Sequence, residues 1–112
     1  MKQYFSKNLS DGLILDKEIF SVQDFAIHKD KNGNPYYRIE LQDKSGDVAG
    51  KVWSDSIQFC NISEQNIGDV VEITGIVSEY QGKLQITIKK CEITEVYNLE
   101  DLIQVTDKGI DN

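Results

Sequence analysis

The chain has 112 residues, 39% hydrophobic and 28% charged, a length and balance that fit one folded domain with a modest core and exclude large lobes or a disordered polymer. The formal charge is -7, which runs against a basic nucleic-acid footprint, but it is uneven: Glu92 to Asn112 carries a net -5, whereas residues 17 to 91 carry only -2. No apolar run has the length of a membrane span and MKQYFSKNLSDG holds no signal-peptide core, so the expected location is cytoplasmic.

Residues 1 to 16 read as an extended lead-in. Phe5, Leu9, Leu13 and Leu15 can dock on the flank of the folded domain, and Asp11-Gly12 marks a turn. EIFSVQDFAIH, residues 18 to 28, keeps neither period 2 nor period 3.6. A long first strand with a bend or bulge accounts for that slip. In KDKNGNP, residues 29 to 35, Asn32-Gly33 signals a hairpin, and Pro35 offers no ladder donor.

YYRIELQD, residues 36 to 43, alternates cleanly: Tyr37, Ile39 and Leu41 on one face, Tyr36, Arg38, Glu40 and Gln42 on the other. The turn DKSGD leads into VAGKVW, residues 48 to 53. There Val48, Gly50 and Val52 oppose Ala49, Lys51 and Trp53. Gly50 on the inner face suits a strand that bends or passes close to a neighbour.

SDSIQFCNISEQNI, residues 54 to 67, reads as a short irregular helix plugging one end, capped by Ser54 or Asp55. Gly68-Asp69 turns into DVVEITGIVSEY, a strand rich in β-branched residues. Val71, Ile73, Gly75 and Val77 share one of its faces. YQGK is a tight turn, and LQITIKKCEI, residues 84 to 93, completes a hairpin. Leu84, Ile86 and Ile88 are in phase there, but Cys91 and Ile93 are not, so a bulge is expected near the strand's end. Leu99, Leu102 and Ile103 suggest one last helical turn. The expected division is a lead-in over 1–16, a barrel over 17–96 and an acidic tail or linker over 97–112.

Five strands, with a helix between the third and fourth, is the order of an all-β oligonucleotide/oligosaccharide-binding (OB) fold, a Greek-key barrel. Its candidate binding face is the one opposite the core on strands two and three. Trp53 offers a flat ring beside Lys51, a stacking platform for a base. Tyr36 and Arg38 share that face, and Arg38 can meet a phosphate or stack. Glu40 weakens the stripe. Tyr80 and Lys83 flank the last hairpin's tip, while Lys31 and His28 belong to the other rim. The bland readings are a packed tryptophan, a solvated sheet face and solubilising turn lysines.

Signals for chemistry are poor. GxxxxGK, GxSxG and HExxH are all missing. Asp43, Asp47 and Asp55 are better explained by turns than by a metal. A lone histidine makes no zinc site. Cys60 and Cys91 form neither a CxxC knuckle nor a disulfide scaffold, and two reduced thiols are expected. No cofactor or metal is expected.

Two segments, GNPYYRIELQDKSGDVAGKVW and GDVVEITGIVSEYQGKLQITI, resemble nucleic-acid-binding OB domains of the tRNA anticodon-binding type. More narrowly, they resemble the N-terminal OB domain of YhaM-like bacterial 3'-to-5' exoribonucleases, where an HD phosphohydrolase domain follows. The resemblance covers about Phe5 to Tyr97 and rests on the combined spacing of Gly33, Asp43, Gly46, Trp53, Gly68, Gly75, Tyr80 and Gly82. It implies a non-catalytic domain that presents single-stranded RNA or DNA to a separate nuclease domain. Trp53 and Tyr80 fall where stacking aromatics sit in related OB domains. No HD motif follows in this chain. The alternative is an OB-fold protein-interaction module without nucleic-acid binding, which the net acidity favours. Homo-oligomers are open to either reading.

Overall fold

A computed structural model describes residues 4–103. Five strands close a barrel: β1 (Ile14–Lys29), β2 (Pro35–Asp43), β3 (Gly46–Val52), β4 (Val70–Tyr80) and β5 (Lys83–Ile93). Their order around the barrel is β1-β2-β3-β5-β4, with every pairing antiparallel except β3 with β5. This is the five-stranded OB topology, with the short 3-10 helix Ser54–Phe59 between β3 and β4.

Alternation builds the core. On β2 and β3, Ile39, Leu41, Val48 and Val52 point inward, and on β4 and β5 so do Val71, Ile73, Val77, Ile86 and Ile88. β1 reaches across both halves of the barrel, pairing with β4 near its start and β2 near its end. It changes partner by slipping phase twice, between Leu15 and Glu18 and between Val22 and Asp24. Lys17 takes a left-handed φ of 56° at the first slip. Those bulges are why no single period runs through this stretch of sequence. β1 also begins at Ile14, within the segment read as lead-in. The Gly12 N–H and the Leu13 carbonyl bond to Val77, which guides the chain directly onto the edge of β4.

The expected bulge on β5 is present. Thr74 pairs with Lys90 but Gly75 with Ile88, so Lys89 is the extra residue. The result departs from strict alternation, because Lys89 and Lys90 are both exposed. Lys90 pairs with Glu92 at 3.1 Å.

Between β3 and β4 two 3-10 helices, Ser54–Phe59 and Glu64–Asn66, replace the single irregular helix. Neither Ser54 nor Asp55 caps the first. Its N-cap is Trp53, which uses no side-chain bond and accepts from the Ser56 N–H through its backbone carbonyl at 2.8 Å. The second carries a full capping box, with Ser63 and Asn66 each satisfying the other's backbone N–H.

The termini are tied to the β2–β3 turn. Asp43 is fully buried, and its carboxylate accepts from the backbone N–H and hydroxyl of both Ser6 and Ser45, at 2.7 to 2.9 Å. The Lys44 N–H donates to the Asp101 carbonyl at 2.9 Å, and Leu102 is buried beside a last 3-10 turn, Leu99–Asp101. The last helical turn expected from Leu99, Leu102 and Ile103 is present, with Leu99 and Ile103 exposed. The end of the acidic tail, 104–112, lies outside the described residues.

Two inward glycines allow the strands to close. A Cβ on Gly75 would fall on the Thr87 carbonyl oxygen, which is backbone and cannot swing away. A Cβ on Gly50 would sit 2.5 Å from Ile88 Cδ1, the mobile end of a side chain. Gly75→Ala is therefore expected to destabilise by about 3 kcal/mol or to prevent folding, and Gly50→Ala by about 1 kcal/mol. Urea unfolding midpoints check the order, and equal losses would contradict the closure geometry.

Candidate functional site

The outward residues of β2 and β3 stand in register. Arg38 pairs with Lys51, Glu40 with Ala49 and Gln42 with Asp47. Tyr36 opens β2's outer row and Trp53 follows β3, so the two rings meet at one end, centroids 4.8 Å apart and tilted by 40°. His28, opposite Tyr36 on β1, extends the row with a stacked contact at 5.6 Å. Trp53 is 36% exposed. Its ring is partly covered by Tyr36 and by the Lys51 ammonium.

Barrel closure adds the fourth ring. Because β5 runs parallel to β3, the β4–β5 hairpin stands over the outer face of β3. Gln81 and Gly82 both take left-handed φ, 53° and 81°, and make the tight turn that carries Tyr80 and Lys83. The Lys51 ammonium then lies over three rings, 5.7 Å from Tyr36, 5.4 Å from Trp53 and 5.7 Å from Tyr80. The ring faces supply the negative side of their quadrupoles to that cation.

Beside this cluster opens a cleft of about 710 Å³. Arg38, Lys51, Tyr80 and Lys83 line it, so four of the eight predicted residues meet in one space. Tyr36, Trp53 and His28 flank its aromatic end through the ring contacts above. Lys31 is not brought to the cleft. It lies exposed in the β1–β2 turn, which is organised by Asp30 accepting from the Asn32 and Asn34 N–H groups.

Several lining residues carry no clear signal in the sequence or were passed over by it: Ser6, Asp47, Ala49, Gln81, Leu84 and Gln85. Ala49 and Asp47 are in phase with Lys51 and could have been found from alternation. Gln85 could not, because its partner Ala49 is set by the parallel β3–β5 pairing, which leaves no local signal.

The face is graded. Along β2 and β3 the outer rows run from Tyr36 and Trp53 through Arg38 and Lys51 to Glu40 and Asp47, and the hairpin brings Tyr80 and Lys83 to the cleft. Glu40 pairs with Arg38 at 3.4 Å, both partly exposed, so the bond is loose and screened. Asp47 accepts from Gln42 at 3.0 Å. The surface can stack flat rings at one end, hold anionic groups at its centre and accept hydrogen bonds at the other. Among the described residues no group of three or more His, Cys, Asp or Glu is placed to hold a metal ion, and no helix is long and apolar enough to cross a membrane.

The sequence model of a family described as "OB-fold nucleic acid binding domain" matches residues 12–94. Among solved structures, the second OB-fold domain of replication protein A from Methanococcus maripaludis superposes with a TM-score of 0.60 at 21% identity. The match covers 85% of this chain and 97% of that one. A chain from a structure described as "Structural mimicry for functional antagonism" also superposes with a TM-score of 0.60, at 15% identity. It covers 84% of this chain, which spans 44% of that one. At these identities the superpositions establish the fold.

The cationic surround of Trp53 can be read in solution. Relative to free N-acetyltryptophanamide, iodide is expected to quench Trp53 fluorescence more strongly than caesium does, because Arg38 and Lys51 concentrate anions there. Lys51→Met is expected to shrink that preference. Equal quenching by both ions on that normalised scale would show that the local field is not positive.

Proposed function

The chain belongs to the OB-fold nucleic acid binding domain family, and we propose that it binds single-stranded RNA or DNA across the outer face of β2 and β3. The observation that carries this reading is the Lys51 ammonium seated among Tyr36, Trp53 and Tyr80 at the mouth of the cleft. A cation alternating with exposed rings is what an unpaired strand requires, since each nucleotide brings a flat base and a charged phosphate. Trp53 and Tyr36 stack bases. Lys51 leaves the rings when a base enters and meets the adjoining phosphate. Arg38 and Lys83 hold neighbouring phosphates, and Tyr80 closes the site from the hairpin. His28 extends the aromatic row, and Lys31 adds a distant charge.

We further infer that the domain works beside a separate HD-type nuclease domain in the cytoplasm, presenting the strand to it. The supporting feature is the resemblance of residues 33 to 53 and 68 to 88 to the exoribonuclease OB domain. In that arrangement residues 17–96 are the binding unit, 1–16 brace it and 97–112 form the connection.

A protein-interaction role is the second reading. Glu40 and Asp47 favour it, because they face the cleft and would repel a phosphate chain continuing past Arg38. A basic peptide would find them attractive.

Titration of short fluorescein-labelled single-stranded RNA and DNA with the full chain, followed by the anisotropy of the label, separates the two. Binding is expected with a salt slope of roughly -1.4 to -2.8, for about 2 to 4 phosphates. Trp53→Ala is expected to weaken it roughly 10-fold or more. Glu40→Gln is expected to strengthen it about twofold to fivefold by freeing Arg38. Affinity for neither polymer, or affinity indifferent to Trp53→Ala, would overturn the stacking site.

A further inference from the structure

Cys60 and Cys91 are the chain's only cysteines and stand 31 positions apart. The fold makes them neighbours. Cys60 ends the Ser54–Phe59 helix and forms a single parallel bridge with Cys91 of β5. The Asn61 N–H donates to the Cys91 carbonyl at 2.8 Å and locks that register. Paired residues on adjacent strands project to the same side, and adjacent strands lie about 4.8 Å apart. That spacing falls inside the roughly 4.4 to 6.8 Å Cα range of a disulfide. Both side chains belong to the core, Cys91 at 0% exposure and Cys60 at 9%, so only Cys60 shows an edge to solvent.

The neighbouring thiols act on each other's ionisation. A hydrogen bond from Cys91 favours a thiolate on Cys60 and holds its thiol below the ordinary range, against the opposing effect of burial. The same bond, with burial, pushes the Cys91 thiol up. One sulfur is thus the better nucleophile and the other keeps its proton in reserve.

We propose that Cys60 and Cys91 are a reversible dithiol–disulfide pair, closed by a hydroperoxide into a covalent clamp between the segment that covers the barrel's end and β5. Cys60 thiolate attacks the peroxide oxygen, breaking the O–O bond, and becomes a sulfenic acid as hydroxide leaves. The Cys91 sulfur then attacks the Cys60 sulfur. Its proton and the departing hydroxide form water. Two thiols and one hydrogen peroxide give one disulfide and two waters, with both sulfurs oxidised and the peroxide reduced. A small thiol in excess reverses the step. The clamp ties down the far end of the segment that begins at Trp53, so oxidation restrains the covering segment without touching the cleft.

The test uses the full chain, reduced, desalted and treated with hydrogen peroxide, then alkylated in denaturant. The expected product is a monomer two hydrogens lighter, with both cysteines protected from alkylation and released again by dithiothreitol. Its Tm is expected to rise by roughly 10 °C, as closing a loop of this length predicts. Cys60→Ser and Cys91→Ser should each abolish the mass loss. Two alkylated cysteines after treatment, oxygen adducts without the mass loss, or a disulfide-linked dimer would each overturn the pairing. The wild-type readout does not depend on either variant folding. None of these outcomes bears on nucleic-acid binding.

Discussion

Barrel closure between β3 and β5 is the constraint on which the remaining geometry depends. Only three register pairs make that seam, Ala49 with Gln85, Gly50 with Ile86 and Lys51 with Thr87. The middle pair lacks a side chain on one strand, which lets Ile88 reach across the interior. The seam is also the only parallel pairing in the barrel. Without it the β4–β5 hairpin would have no reason to stand over β3, and Tyr80 would not share a cation with Tyr36 and Trp53. The site is a product of closure, and no local element holds it complete.

Asp43 performs the matching task at the opposite side of β3. A buried carboxylate is tolerable only when its lone pairs are satisfied, and both Ser6 and Ser45 satisfy it with charge-assisted bonds. This one side chain therefore shapes the β2–β3 turn and draws in the N-terminal segment. Ser6 consequently lines the cleft's far end beside Asp47. The lead-in is part of the site's wall, although its sequence suggested only a docking strip.

Much of this was legible in advance where physics is local. The alternation of YYRIELQD and VAGKVW placed Tyr36, Arg38, Lys51 and Trp53 on one face because side chains in a strand repeat every two residues. Gly33 and Gly82 announced their turns because left-handed φ, 84° and 81°, favours glycine. What was hidden depends on contacts between distant segments. The two bulges of β1 erase its period, and their positions are set by its change of partner. The short covering helices lack a strong pattern, and Trp53 caps the first with backbone alone. Gln85 and the Cys60–Cys91 bridge both depend on where β5 lies, which no spacing along the chain reveals.

Net charge was the strongest objection to a nucleic-acid surface, and the structure changes its weight. At physiological ionic strength exposed charges are largely screened beyond about 8 Å. What a strand in the cleft would meet is therefore the lining itself, where Arg38, Lys51 and Lys83 stand against Glu40 and Asp47. Arg38 and Lys51 lie next to Tyr36 and Trp53, ahead of Glu40 and Asp47 along the strands, so attraction is concentrated over a short stretch. Such an arrangement favours a few nucleotides held by stacking over a long polyanion held by charge. The chain's acidity would then limit the length of such a contact without excluding it.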